Sequence, residues 1–199
     1  MPRVKGERRL EILKALAEML GEPRWEKITT AALAAKLDVS EAALYRHFAS
    51  KAQMYEGLIE FIEQSVFGLA NRISQDESDG HRQAARLVEM VLAFAETNPG
   101  MVRVMTGDAL VGEHERLQVR MNQFFDRLEA TLKQALRAAH SADAGVTDAG
   151  ARRAADLDVN VRAGAMVRYV IGCLHQYAKS GFVRKPSENG PAQIAYLTT

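Results

Sequence analysis

The stretch I-T-T-A-A-L-A-A-K-L-D-V-S-E-A-A-L-Y-R-H-F-A-S-K, residues 28–51, leaves fewer ways to fold than any other part of this chain. Leu33, Ala34 and Leu37 fall one and four residues apart and share one helical face, and Leu44 and Phe48 repeat the four-residue spacing. Each face is small, so the two short helices must pack on each other. Asp38 breaks the pattern between them, and Ser40 stands where a second helix needs a side-chain oxygen to accept from an unpaired N–H. A helix, a tight turn and a steeply crossing second helix make a helix-turn-helix. With Leu44 and Phe48 turned inward, Glu41, Ala42, Ala43, Tyr45, Arg46 and His47 face outward. These are groups suited to a nucleic-acid groove and its phosphates.

The rest of the chain narrows the class of protein. Its 199 residues allow one domain or two small ones, and 47% apolar with 26% charged residues describes an ordinary globular chain. The formal charge of +1 carries no argument for a nucleic-acid partner, but its distribution does. Arg3, Lys5, Arg8, Arg9 and Lys14 precede the motif, and Lys27, Lys36, Arg46 and Lys51 lie in or beside it. A lone cysteine, Cys173, excludes an intramolecular disulfide and a cysteine-rich zinc site. No apolar run is long enough to span a bilayer, and no signal-type apolar core follows the basic N-terminus, so a reducing cytoplasm is the expected compartment. Alternating Val/Ile/Thr segments are absent, while Ala, Leu, Glu, Arg and Gln dominate; the fold is read as all-α.

In chain order, Met1 to Lys5 read as a basic arm, and a first helix begins near Gly6 with an apolar stripe of Leu10, Leu13, Ala17 and Leu20, ended by Gly21. Trp25, in the loop that follows, is expected to be buried. Thr29 or Thr30 caps the first motif helix, whose free N–H groups suit a phosphate, and Ser50 with Lys51 opens the next helix in the same way. Residues 52–74 form one long helix with Tyr55, Leu58, Ile59, Ile62, Val66, Leu69 and Ile73 inward and Phe61 off the stripe, so the boundary between residues 1–52 and 53–199 falls at a helix and not in a linker. Residues 82–97 form another, with Leu87, Val88, Val91, Leu92 and Ala95 inward and Met90, Phe94 and Asn98 on a different face. The N-P-G at 98–100 is a strong break, with Gly100 allowing a tight turn. A short helix over 101–109 leads to a long one over 113–139, carrying Leu117, Met121, Phe124, Phe125, Leu128, Leu132, Leu136 and Ala139, with Glu129 and Lys133 as an ion pair. A small-residue loop at 140–150 precedes a helix over 151–180 that is apolar on two sides, and a last short helix lies at 193–197. A helix apolar on more than one face needs more than one partner. The two long C-terminal helices are therefore expected to build a twofold interface through Phe124, Leu128, Met166, Val170, Cys173, Leu174 and Tyr177, with Gly164 and Gly172 admitting another backbone; a monomeric bundle core is the alternative.

The pattern A-x-L-A-x-x-x-x-V-S-x-x-x-L-Y-x-H-F-x-x-K resembles the DNA-binding domain of the TetR family of bacterial regulators, with Asp38 where that family usually has Gly. The resemblance implies a TetR-like all-α fold of about nine helices: a three-helix helix-turn-helix domain followed by a C-terminal helical dimerisation bundle. Carried over residue by residue, it implies that Thr30, Tyr45, His47 and Lys51 grip phosphates, with Thr29 at the helix start. Val39, Ser40, Glu41 and Ala43 then face base edges. The similarity extends through E-A-A-L-Y-R-H-F-A-S-K-A-Q-M, L-I-E-F-I-E, E-T-N-P-G, M-T-G-D-A-L and E-R-L-Q-V-R-M-N-Q-F-F-D-R-L-E-A, which together resemble the nucleoid occlusion branch of the family. That branch implies a nucleoid-associated homodimer on palindromic double-stranded DNA that, when DNA-bound, antagonises the division protein FtsZ. Phe61, Met90, Phe94 and Asn98 would then line a groove for the FtsZ C-terminal tail. Where better-known members of that branch carry arginine at flanking positions, this chain has Leu69 and Thr97. A TetR-type repressor released by a small ligand is the alternative. For an enzyme the sequence offers no paired carboxylates, phosphate loop, nucleophile motif or metal spacing, and neither metal nor cofactor is expected.

Overall fold

The computed structural model describes residues 5–24, 26–143 and 149–198, with side chains placed for 6–24, 26–139 and 153–198. The expectations for residues 1–4 and for Trp25 lie outside the described residues, and Lys5, expected in the basic arm, already belongs to the first helix. Among the described residues the regular structure is entirely helical: α1 (Lys5–Leu20), α2 (Thr30–Lys36), α3 (Glu41–Tyr45), α4 (Lys51–Asp76), α5 (Gly80–Thr97), α6 (Pro99–Met105), α7 (Glu115–Asp143), α8 (Ala149–Lys179) and α9 (Gly190–Thr198), with a 3-10 turn at Asp108–Leu110. This is the all-α architecture of about nine helices that the sequence led us to expect. None of these helices is long and apolar enough to cross a membrane.

Capping chemistry sets the helix starts. Thr29, Ser40 and Ser50 each sit in extended backbone, and their hydroxyls accept from Ala32 N at 3.1 Å, Ala43 N at 3.3 Å and Gln53 N at 3.2 Å. Asp79 does the same for α5, accepting from His81 N and Arg82 N at 2.9 and 3.1 Å. Asp38 closes α2. Its φ is 53°, its N–H donates to Ala35 O at 3.1 Å, and the next N–H, of Val39, reaches back to Ala34 O at 3.0 Å. That pair of bonds is the Schellman closure, made here with an aspartate in the left-handed position.

The helices pack as one continuous core: α4 lies on α5, α5 on α7 and α9, and α7 along α8, while α1 touches α2, α4 and α6. Several packing details differ from the periodicity. On α1 the buried face is Ile12, Ala15, Leu16 and Leu20, and Leu10 is half in solvent, because α1 is gripped by α4 and α6 as well as by α2. On α4, Phe67 and Ala70 are buried and Leu69 only partly, since the Phe67 ring packs tilted against Phe124 of α7 with centroids 5.3 Å apart. At the edges of the expected loop at 140–150 the described residues are helical, since α7 runs to Asp143 and α8 starts at Ala149; residues 144–148 lie outside the described residues. The short helix expected over 101–109 ends at Met105, followed by Gly107 at φ 83° and the 3-10 turn.

Gly100 has a different role from the turn expected of it. It lies inside α6, and a Cβ built there would stand 2.0 Å from the backbone oxygen of Ala17 on α1. Next to this contact Arg103, 5% exposed, donates from Nε to Leu20 O at 2.8 Å and from one terminal nitrogen to Glu22 O and Pro23 O at 3.0 and 3.3 Å. It thus satisfies carbonyls that the end of α1 leaves unpaired. The Phe182 ring, following the Gly181 turn that ends α8, lies 4.8 Å from the same guanidinium. Two glycine substitutions test this packing. Gly100→Ala is expected to lower unfolding stability by about 2 to 3 kcal/mol, because backbone must move. Gly68→Ala, mid-α4 with nothing within 4 Å of the new methyl, is expected to raise it by about 0.5 to 1 kcal/mol in the same urea titrations.

Candidate nucleic-acid interface

The structure gathers α2, the Asp38 turn and α3 into one exposed surface. Leu33, Ala34, Leu44 and Phe48 are buried beneath it, as their spacing requires. Ser40, Glu41, Ala42, Tyr45 and Arg46 are exposed, Ala43 and His47 are half-buried, and Val39 packs partly against the core below. The α-helical part of α3 is only five residues long, so Arg46 and His47 stand on the turn that ends it. Thr29 is exposed at the N-terminus of α2. The Thr30 hydroxyl donates to the Glu41 carboxylate, tying the start of α2 to the start of α3. Glu41 therefore already has a partner.

At the edge of this surface the exposed Arg9 of α1 clamps the end of α3. Its guanidinium donates to the His47 carbonyl and lies 4.1 Å from the centre of the Phe48 ring, a cation over an aromatic face. The His47 Nδ1 is buried with no hydrogen-bond partner. Lys51 has an ion partner: its Nζ lies 2.5 Å from the Glu113 carboxylate and 5.5 Å from the Tyr55 ring. Burial, with the Glu113 charge second, pushes the Tyr55 phenol well above its ordinary pKa. The spacing of L-Y-x-H-F-x-x-K gave no sign of Glu113, which comes 62 residues later.

The second group of expected residues lies on the α4–α5 face. Phe61 is 44% exposed, and its ring centroid is 6.2 Å from that of Phe94. Phe94 itself is buried at 7%, which corrects its reading as a residue left over from the core: it is the floor beneath Phe61. Met90 and Asn98 are half-buried. The Asn98 amide is used within the chain, donating to Phe94 O at 2.8 Å and to the Thr97 hydroxyl at 3.0 Å, so it caps α5.

The third group needs the largest correction. Phe124, Leu128, Met166, Val170, Leu174 and Tyr177 are all buried within the single chain, between 0% and 6% exposed, so they are core residues that a second chain cannot reach. Only Cys173 of that set is partly accessible, and burial raises its thiol pKa. The accessible side of α8 carries instead Leu157 at 65% and Val161 at 61%, then Arg168, Gly172 and Gln176. Helical periodicity singled out the sides of Met166 and of Cys173 and not that of Leu157 and Val161, whose apolar pair is followed by Arg168 and Gln176.

Comparison with known proteins agrees with this geometry. Residues 12–58 match the model of the tetR family of bacterial regulatory proteins, and residues 80–199 match the SlmA-like model of the tetracyclin repressor-like C-terminal domain. The chain is 49% identical to the nucleoid occlusion factor SlmA of Marinomonas sp. (strain MWYL1), over 99% of this chain and 96% of that protein. It is 46% identical to the protein of the same name from Alteromonas mediterranea, over 98% and 96%. Among solved structures, the TetR family transcriptional regulator PfmR of Thermus thermophilus superposes with a TM-score of 0.73 at 18% identity, covering 94% of this chain and 96% of that one. The likeness to PfmR is one of fold.

The turn between α2 and α3 offers a direct test. Asp38 holds φ 53° without being glycine. Asp38→Gly is expected to raise unfolding stability by about 0.5 to 1 kcal/mol, since the left-handed conformation costs a Cβ-bearing residue and not glycine. Urea denaturation with the same slope and a higher midpoint is the expected result.

Proposed function

This chain belongs to the TetR family of bacterial regulatory proteins, within the group of the nucleoid occlusion factor SlmA, and from that premise we propose that it binds palindromic chromosomal sites as a homodimer and, while DNA-bound, inhibits FtsZ-ring assembly over the nucleoid. The observation that carries this reading is the extent of the match: 49% identity over 99% of this chain, a span that includes α4, α5 and the long C-terminal helices as well as the helix-turn-helix. Residues 1–52 act as the DNA module and 53–199 as the dimerisation and partner domain of a cytoplasmic protein that works on the nucleoid. Thr29, Thr30, Tyr45, His47 and Lys51 contact phosphates, while Val39, Ser40, Glu41 and Ala43 meet base edges. Val39 and Ala43 are short and apolar and suit thymine methyl groups; Ser40 donates or accepts. The C-terminal tail of FtsZ docks on the α4–α5 face, with Phe61 as the accessible aromatic anchor above Phe94 and with Met90 and Asn98 beside them.

The twofold contact uses the outer face of α8, where Leu157 and Val161 are the apolar groups that one chain leaves in water. Gly172, with open space where a Cβ would be, allows a close approach further along.

Binding measurements separate the roles. Tyr45→Ala is expected to weaken binding to every duplex alike, whereas replacing Ala43 changes which site is preferred, by about 1 to 3 kcal/mol per altered base contact. With saturating site DNA, the wild-type protein is expected to reduce FtsZ polymer in a sedimentation assay, and Phe61→Ala to abolish that effect at unchanged DNA affinity. Unaltered FtsZ polymers under saturating DNA would sink the division role. For assembly, Val161→Glu is expected to give a monomer in analytical ultracentrifugation and to lose at least tenfold in affinity for a two-half-site duplex, because only one reading head is left per particle.

A further inference from the structure

We infer that Glu113 is an internal competitor for the DNA backbone: its carboxylate holds the Lys51 ammonium in the free protein and yields it to a phosphate when a duplex binds. This rests on the reading of Lys51 as a phosphate-gripping residue. Lys51 is the first residue of α4, at the edge of the helix-turn-helix, and its Nζ lies 2.5 Å from Glu113 Oε1. The two side chains are 20% and 10% exposed, so this pair is much less open to water than an ordinary surface ion pair. Glu113 sits just before α7, in the turn that follows the 3-10 segment. The adjacent Gly112 carbonyl is 3.5 Å from Nζ of Lys27, a lysine of the α1–α2 connection. One turn of the C-terminal part therefore collects two cations of the DNA module.

The ion pairs between α4 and α7 add a second observation. Further along, α4 supplies the acid and α7 the base: Glu56 with Arg116 at 2.6 Å, and Glu63 with Arg120 in a two-bond fork at 3.0 and 2.6 Å. At the end nearest the helix-turn-helix the polarity is reversed, with the cation on α4 and the acid ahead of α7. A ladder that only fastened two helices would work with either polarity. A lysine on α4 at this end is the arrangement that can be transferred to DNA. A carboxylate and a phosphodiester both present anionic oxygens to an ammonium, so the exchange keeps Lys51 paired throughout and releases Glu113 and its turn. Occupancy of the duplex is thereby conveyed to the start of α7.

The test uses the full chain, a site duplex and an unrelated duplex, with binding followed by fluorescence anisotropy and folding by thermal melting. Glu113→Gln is expected to tighten binding to both duplexes by about three- to tenfold, because the competitor is gone while shape is kept. Lys51→Met is expected to weaken binding, and Glu113→Gln added to Lys51→Met to return nothing. An equal gain from Glu113→Gln with and without Lys51 would mean simple repulsion of DNA by a carboxylate, and overturns the inference. Weakened binding in Lys51→Met with no gain from Glu113→Gln also overturns it, while leaving Lys51 as a phosphate contact. Unchanged binding in Lys51→Met removes that contact and the inference with it. Should Lys51→Met fail to fold with Glu113 left unpaired, the gain from Glu113→Gln is compared with that from Glu115→Gln, an exposed carboxylate two residues on. Equal gains from the two overturn the inference.

Discussion

Everything the DNA-facing surface does depends on how α1 is held, and α1 is held by backbone. α6 lies against the last turn of α1 only because position 100 has no side chain, and Arg103 fills the space beside that contact with three hydrogen bonds to carbonyls at 20, 22 and 23. Such a joint is stiff. Backbone cannot give way as the end of a long side chain does, and a planar guanidinium bonded to three carbonyls fixes their relative positions. The surface made by α2 and α3 is in turn clamped to α1 through Arg9, on the His47 carbonyl and the Phe48 ring. A displacement of α6 must therefore move α1, and α1 carries the reading surface with it.

The second attachment is of another kind. Between the start of α4 and the turn ahead of α7 the fastening is ionic, through Lys51 and Glu113, reinforced by a long contact from Lys27. An ion pair can be exchanged for another of the same chemistry provided the released carboxylate regains water, whereas a van der Waals contact between two backbones has no such substitute. The module is thus fixed to the bundle on one side and reversibly tied on the other. The α5–α6 junction belongs to the fixed side: Asn98 caps α5 directly before Pro99 and Gly100, so the Phe61–Phe94 face ends one turn from the contact with Ala17. A peptide bound on that face and a duplex bound by α3 would act on the same rigid stack.

How much of this was legible in the sequence follows from the range of each signal. Caps act over three residues, so Ser40, Ser50 and the pair Thr29/Thr30 were readable from their neighbours, whereas the left-handed backbone of Asp38 was signalled only by the glycine usual at that place in the family the chain resembles. The helices themselves were readable because periodicity is a local property. What could not be read was any choice between two partners far apart in the chain. Leu10 looked as apolar as Ile12, but only the positions of α4 and α6 decide which of them is covered. Met166 and Leu157 are both large apolar residues of α8, yet one is buried by its own chain and the other is not. Gly100 read as a turn because N-P-G is a turn signal, and its contact with Ala17 has no local signature at all.

The shortness of α3 limits what one chain can read. A five-residue helix capped by Ser40 offers a groove few side chains beyond Val39, Glu41 and Ala43, and Glu41 is already engaged by Thr30. A good bidentate base contact is worth about 1 to 3 kcal/mol, and short apolar groups such as Val39 and Ala43 cannot make one, so a single α3 falls short of the roughly 4 to 10 kcal/mol that separates specific from bulk binding. Phosphate contacts add affinity without adding discrimination. On the proposed reading, discrimination has to come from doubling the surface at a fixed separation, which multiplies the base contacts and admits only sites with the right half-site spacing. The outer face of α8, far from α3 in sequence and apolar where a lone chain has no reason to be, is then as much a determinant of site choice as the residues that meet the bases.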